Sequence, residues 1–303
     1  MRTSEKNISG LVIVNKEQGI TSQGVVSRVK RIFGAAKAGH TGTLDPMATG
    51  VLPVLVGRAV KASEFMLTSV KHYGATLLLG ITTDTEDVTG EVLTTSALTV
   101  SESDVMRVCA DFTGEIMQTP PMYSALKVGG RKLCDIARGG EVIEREARPI
   151  TVYSLTAERI NDNEYYLDVV CSKGTYIRTL CADIGAALGT GGVMKTLVRL
   201  EASGYTLGDA YTLGELEGMN EEKRLGTLRP VEDVFKKHPC VVLPEFFARL
   251  AHSGLEIYLS KIGKVYEVGQ LVRLADAEGF FALGEVREFP DGKAIKPIRQ
   301  FGE

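Results

Sequence analysis

The chain has 303 residues, 44% of them apolar and 24% charged, enough for one sizeable core or two smaller ones. No apolar run approaches the roughly 18 residues of a membrane span, and Met1 to Lys6 lead into polar residues instead of a secretory hydrophobic region, so a cytoplasmic protein is expected. Net charge is −3, but residues 1–80 hold ten Lys/Arg against four Asp/Glu; that local positive surface suits a phosphate-bearing partner, although solvated helix faces account for it equally well.

Five cysteines, at 109, 134, 171, 181 and 240, form no CxxC pair. An odd count without such pairs fits neither a disulfide framework nor a zinc site, which leaves small buried hydrophobes. Leu11-Val12-Ile13-Val14 reads as a buried strand. Thr21 and Ser22 suit the N-cap of a helix carrying Val25, Val26, Val29, Ile32 and Phe33 on one face. Gly34 to Gly50 is Gly- and Thr-rich, hence a loop or irregular strand, and a second helix is predicted over Ala59 to Leu67. Tyr73 to Leu79 reads as a strand ending in a polar loop, Thr82 to Gly90. Ser101-Glu102-Ser103-Asp104 has the form of a capping box ahead of a helix with Val105, Val108, Cys109 and Phe112.

Lys127 to Arg148 carries two Gly-Gly pairs among charged residues, which predicts a projecting, mobile excursion with a short helix over 131–138. Val152 to Ile160 and Tyr165 to Ser172 read as neighbouring strands, and from Thr175 a helix aligns Ile177, Leu180, Cys181, Ile184 and Leu188. Glu215 to Pro230 is polar and reads as a boundary. Beyond His238 a short helix and brief Gly-punctuated strands predict a small β-rich module.

The most unusual stretch is Gly39-His40-Thr41-Gly42-Thr43-Leu44-Asp45-Pro46-Met47-Ala48-Thr49-Gly50. Pro46 pushes Asp45 towards an extended backbone, and a carboxylate so held can act as nucleophile or base at a pocket mouth. Asp-Pro is equally common turn chemistry.

Six ordered motifs settle on one family. The Asp45 stretch, Asn15-Lys16-Glu17-Gln18-Gly19-Ile20-Thr21-Ser22, and Tyr73 with its strand into Thr82 to Gly90 resemble the bacterial tRNA pseudouridine-55 synthases. Pro120 to Lys127 with Gly130-Arg131-Lys132 and Ala137-Arg138 is similar to that family's thumb insertion, here about residues 121–149. Ser172 to Arg178 and Leu197-Val198-Arg199-Leu200 complete the set. Glu17 stands where the family usually has proline, and Met47 where leucine is common, a volume-conserving change.

The resemblance implies an α+β pseudouridine synthase fold, a mixed and largely antiparallel sheet with flanking helices and a central cleft, over residues 1–235. Residues 238–303 resemble a PUA-type RNA-binding domain. It implies isomerisation of a T-loop uridine of tRNA by base flipping, with Asp45 as the essential carboxylate, Arg178 as its partner and Tyr73 stacking on the extruded base. Leu197 is expected to line the pocket, Lys16 and Asp87 to be among the substrate-binding residues, and His40 to insert into the RNA loop. Lys127, Arg131, Lys132 and Arg138 are the candidate phosphate contacts of the thumb. Arg178 is expected to offer its planar fork to the carboxylate, with Asp87 holding Arg178 in turn. Isomerisation neither oxidises nor adds anything, so no cofactor or metal is expected, nor an obligate protein partner; a monomer is expected. A guide-RNA-dependent relative, a silent RNA-binding protein and a sugar hydrolase are the rivals. Respectively, the bacterial pattern of the thumb, the presence of Asp45 and Arg178, and the absence of a second paired carboxylate count against them.

Overall fold

The computed structural model describes residues 8–67, 70–124 and 126–302, apart from the side chain of Lys132. The apolar run from Leu11 lies within strand β1 (Gly10–Lys16), and it is unbroken because the strand is covered on both faces. Val12 and Val14 face one apolar cluster, Leu11 and Ile13 another. Helix α1 (Ser22–Phe33) starts where the Thr21 hydroxyl accepts the Gly24 N–H at 2.9 Å and stops at Gly34, left-handed at φ 63°. Its Val25, Val26, Val29 and Phe33 pack on β1 and its neighbour.

The Gly- and Thr-rich stretch contributes strand β2 (Ala38–His40), a turn, and strand β3 (Thr49–Val56), which pairs antiparallel with both β1 and β2. The helix expected over 59–67 is instead a 3₁₀ stretch, Gly57–Ala62, running into one turn of helix α2 (Ser63–Met66). Its buried Ala59 and Ala62 are three residues apart, the 3₁₀ period.

Strand β4 (Lys71–Leu79) lies mid-sheet, and the hairpin of β5 (Ile81–Thr83) and β6 (Val92–Thr95) brackets the polar loop. Helix α3 (Glu102–Asp111), capped by Ser101, precedes edge strand β7 (Gly114–Gln118). The charged excursion forms the hairpin β8 (Lys127–Val128) and β9 (Arg131–Lys132), then helix α4 (Leu133–Arg138). The helix therefore begins two residues later than expected.

Strands β10 (Arg148–Arg159) and β11 (Glu164–Cys171) pair antiparallel, followed by helix α5 (Ile177–Ala187), strand β12 (Gly192–Ala202) and short strand β13 (Tyr205–Thr206). The main sheet runs β1-β3-β12-β4-β11-β10-β7, with β2 on β3 and β13 on β12; β12 and β3 are parallel, the other pairs antiparallel. Helices α3 and α5 cover one face of it around Tyr165, Leu167, Leu180 and Ile184.

The polar stretch expected to be a boundary is built into this body. Helices α6 (Leu213–Gly218) and α7 (Glu221–Gly226) occupy it, and Leu213 and Leu216 are fully buried against α1. Arg28 on α1 reaches Glu217 at 2.8 Å.

The remaining strands form a second sheet, β14 (Cys240–Val242), β15 (Ile257–Tyr258), β16 (Leu271–Asp276), β17 (Gly279–Phe289) and β18 (Gly292–Gln300), in the order β14-β16-β17-β18-β15. Helix α8 (Glu245–His252) follows β14 instead of opening the module, α9 (Leu259–Ile262) follows β15, and β17 and β18, with 11 and 9 residues, are longer than expected. Phe235 packs between α2 and the second sheet, its ring 5.3 Å from Phe65 and 5.9 Å from Phe280 on β17. Among the described residues no helix is long and apolar enough to cross a membrane.

Leu216→Ala should lower unfolding free energy by about 2–5 kcal/mol in a urea titration, the range for a buried leucine. A change within about 0.5 kcal/mol, typical of surface sites, would mean that the segment is a linker.

Candidate active site

Asp45 is placed by hydrogen bonds to the residues on either side of it. On α1 the Ser22 hydroxyl donates to the Leu44 carbonyl at 2.9 Å and accepts the Leu44 N–H at 2.8 Å. After Asp45 the chain turns at Pro46, with the Ala48 N–H donating to the Asp45 carbonyl at 3.1 Å and the Gly19 N–H to the Pro46 carbonyl at 2.8 Å. Lys16, expected among the substrate contacts, is fully buried, and its Nζ donates to the carbonyls of Glu17 at 2.9 Å and Pro46 at 3.2 Å. Burial pushes its ammonium down to about 8, with Asp45 pulling it back up and Arg199 pushing it further down. This geometry braces the turn between β1 and the Asp45 loop.

Arg178 lies in the first turn of α5, whose N-cap is held from β7: Gln118 accepts the Tyr176 N–H at 2.8 Å and donates to the Tyr176 carbonyl at 3.0 Å. The Arg178 Nε lies 2.9 Å from Asp45 Oδ2. Its two terminal nitrogens donate elsewhere, Nη1 to the Thr85 carbonyl at 3.1 Å and Nη2 to the Tyr123 carbonyl at 2.7 Å. The expected fork-to-carboxylate pairing is thus corrected to an Nε contact, with each terminal nitrogen directed at a backbone carbonyl instead. Asp87 stands behind, 3.9 Å from Nε, with its Oδ1 accepting from the Thr85 hydroxyl at 2.8 Å and the Thr89 N–H at 2.9 Å. The guanidinium side chain is 6% exposed and the Asp45 side chain 35%, so the cation is sunk and the acid protrudes.

Tyr73 on β4 and Leu197 on β12 are 7% and 8% exposed, and both pack in the cluster that includes Leu44 and Ala48 beside Asp45. Burial raises the Tyr73 hydroxyl, opposed by the neighbouring Arg199 guanidinium. Arg199 belongs to the Leu197–Leu200 motif, but the sequence suggested no role for it. It is 1% exposed, and it donates through Nε to the Val51 carbonyl at 2.7 Å and through Nη2 to the Gly42 carbonyl at 3.1 Å, tying the Asp45 loop to the sheet. A signal for it does exist in the chain: two residues after Leu197 on a strand, it shares the inward face. Its backbone leaves no room at Gly50, where φ is 104° and a Cβ would come within 2.3 Å of the Arg199 carbonyl oxygen.

His40, half-buried, accepts the Gly42 N–H on Nδ1 at 3.3 Å; burial and then Arg199 hold its pKa below the ordinary value. On the excursion, Lys127 is exposed, Arg131 pairs with Glu141 at 3.3 Å and Arg138 with Asp135 at 3.6 Å. Lys132 belongs to β9, and its side chain lies outside the described residues. Met122, Leu133 and Ile136 give the excursion a small core of its own.

Ser22→Ala should cost about 1–3 kcal/mol, because the buried Leu44 N–H loses its partner. An unchanged thermal midpoint would refute the bracketing role.

The profile of the TruB family pseudouridylate synthase N-terminal domain matches residues 30–177, and that of the tRNA pseudouridylate synthase B C-terminal domain residues 178–236. The chain is 39% identical over 300 residues to the tRNA pseudouridine synthase B of Methylobacillus flagellatus, covering 99% of this chain and 98% of that one. It is 41% identical over 302 residues to the protein of the same name from Francisella philomiragia, with coverages of 97% and 96%. Among solved structures, one in a Cbf5–Nop10–Gar1 complex superposes with a TM-score of 0.73 at 27% identity, covering 96% of this chain and 84% of that one. With the fold, the motif order and near full-length similarity in agreement, the chain belongs to the TruB family of pseudouridylate synthases.

Proposed function

We propose that the chain converts the uridine at position 55 in the T-loop of tRNA to pseudouridine, as a cytoplasmic monomer, with Asp45 as the essential carboxylate. The observation that carries this reading is the Arg178–Asp45 ion pair, 2.9 Å long, with its guanidinium buried and its acid protruding beside Tyr73 and Leu197.

The reaction breaks the N1–C1′ bond, turns the base and joins C5 to C1′; a proton leaves C5 and one ends on N1. The atoms of uridine are conserved, so a positioned carboxylate suffices, whether it attacks C1′, adds to C6 or removes the 2′ proton. The uridine must first leave the stack, at a cost of a few kcal/mol that contacts elsewhere on the RNA supply. In this reading Tyr73 stacks on the extruded uracil and Leu197 excludes water from its edge. His40, kept neutral, enters the space left in the loop. Arg178 holds Asp45 against substrate, and Asp87 holds Arg178. Lys16 shapes the Asp45 turn and does not touch the nucleotide. Lys127, Arg131, Lys132 and Arg138 grip phosphates, Arg131 and Arg138 exchanging Glu141 and Asp135 for RNA. The C-terminal β module, a PUA-type domain in this reading, binds RNA farther from the site.

Asp45→Asn should abolish tritium release from tRNA labelled at uridine C5 while tRNA affinity stays within roughly tenfold, since the acid acts mainly in the transition state. Full activity in the variant would overturn the assignment. Lys127→Ala with Arg131→Ala should weaken tRNA binding and flatten the plot of log affinity against log salt, by about 0.7–0.9 for each phosphate no longer neutralised. A parallel plot would remove these two residues from the interface.

A further inference from the structure

Glu86 lies between two residues that face Arg178, and none of the roles assigned to the reaction falls to it. It is one of two non-glycine residues at positive φ among those described, at 63°. Side chains adopt this backbone rarely, and surroundings must hold it there. Strand β12 does so from one side: the Met194 N–H donates to the Glu86 carbonyl at 3.0 Å, and the Val88 N–H to the Met194 carbonyl at 3.1 Å.

Helix α5 does so from the other. The Thr179 hydroxyl, itself 5% exposed, donates to Glu86 Oε2 at 2.6 Å. Thr179 directly follows Arg178, so this clasp joins the loop to the turn of helix that presents the guanidinium. Asp183, one turn further along α5, feels the Glu86 charge; burial and then Glu86 push its carboxyl up to about 6. Burial likewise raises the Glu86 carboxyl, against the Thr179 bond and the charges of Arg178 and Arg145. A carboxyl kept in such surroundings needs its hydrogen bond.

The three consecutive residues of the loop thus meet one helical turn. The Thr85 carbonyl receives Arg178 Nη1, Glu86 receives Thr179, and the Asp87 carboxylate stands 3.9 Å from Arg178 Nε. Without the clasp, the left-handed kink at Glu86 loses its side-chain anchor. Thr85 and Asp87 then no longer meet the guanidinium at fixed positions.

We propose that Glu86 is a positioning residue for pseudouridine formation: its bond to Thr179 locks the loop 85–87 onto α5 and so sets Arg178, and through it Asp45. The inference rests on the proposed roles of Asp45 and Arg178. A small misplacement of a reacting group costs rate with little effect on binding, so Glu86→Ala should slow single-turnover tritium release by about ten- to a hundredfold at unchanged tRNA affinity. Thr179→Val should do the same, and the two together should be no slower than the slower of them, since both break one bond. Glu86→Gln retains an acceptor and should restore most of the rate. Glu86→Gly relieves the backbone while removing the clasp, so it should remain as heat-stable as the parent and still be slow; it serves where Glu86→Ala folds poorly. A folded Glu86→Ala or Glu86→Gly with the parent rate, a Gln variant as slow as Ala, or additive losses in the double variant would each overturn the proposal. If Asp45→Asn proves active, the reading beneath it fails; if Asp45→Asn is dead and Glu86→Gly is fast, this inference fails alone.

Discussion

A carboxylate set beside an apolar cluster takes its position from the cation that pairs with it. Arg178 pairs with Asp45 through Nε and directs one donor of each terminal nitrogen to the Thr85 and Tyr123 carbonyls. Three separate segments therefore converge on one planar group: the Asp45 turn, the loop before β6 and the base of the excursion. The guanidinium is rigid by conjugation, so fixing its ends fixes the direction from which Nε meets the acid. A lysine at this place would offer a point charge with no such directional control.

Two further buried cations hydrogen-bond to the backbone, and one of them, Lys16, also feels the Asp45 charge. Within the segment 39–50, Lys16 donates to the Pro46 carbonyl and Arg199 to that of Gly42; their other bonds go to Glu17 and to Val51 just beyond it. That segment has little secondary structure of its own between β2 and β3, so its carbonyls need partners from outside, and charged donors form the stronger bonds. Burying both ammonium and guanidinium is costly, which is visible in Lys16 at about 8. That cost is offset by a loop kept in one conformation beneath Asp45.

The regular parts of the fold were legible because their patterns are long. Strand β1 with its four apolar residues, helix α1 with its cap, the β10 and β11 pair and helix α5 lie where periodicity puts them. The misplaced helices share a cause: segments too short to show a period. Helix α6 has six residues, and its two buried leucines look incidental among Glu215, Glu217 and Gly218 until α1 is seen beneath them. The 3₁₀ stretch before α2 shows a spacing of three that a helical reading absorbs. At the site, the motif order brought out Asp45 and Arg178, and these two do meet. What local sequence does not contain is how donors are divided among carbonyls, because Thr85 and Tyr123 act through backbone that any residue would supply. The partners of Lys16, main-chain oxygens of residues 17 and 46, are hidden from local sequence in the same way.

Tyr123 packs with Met122, Leu133 and Ile136 in the core of the excursion, and its carbonyl is a ligand of the guanidinium that holds Asp45. The hairpin β8–β9 and helix α4 thus stand on a base that the site itself uses. A load on that excursion reaches Asp45 through one hydrogen bond and one ion pair, with no helix or strand to be displaced on the way. A site built like this is completed at its rim as well as at its floor, which is why the charged insertion and the acid belong to one physical unit although nearly eighty residues separate them in the chain.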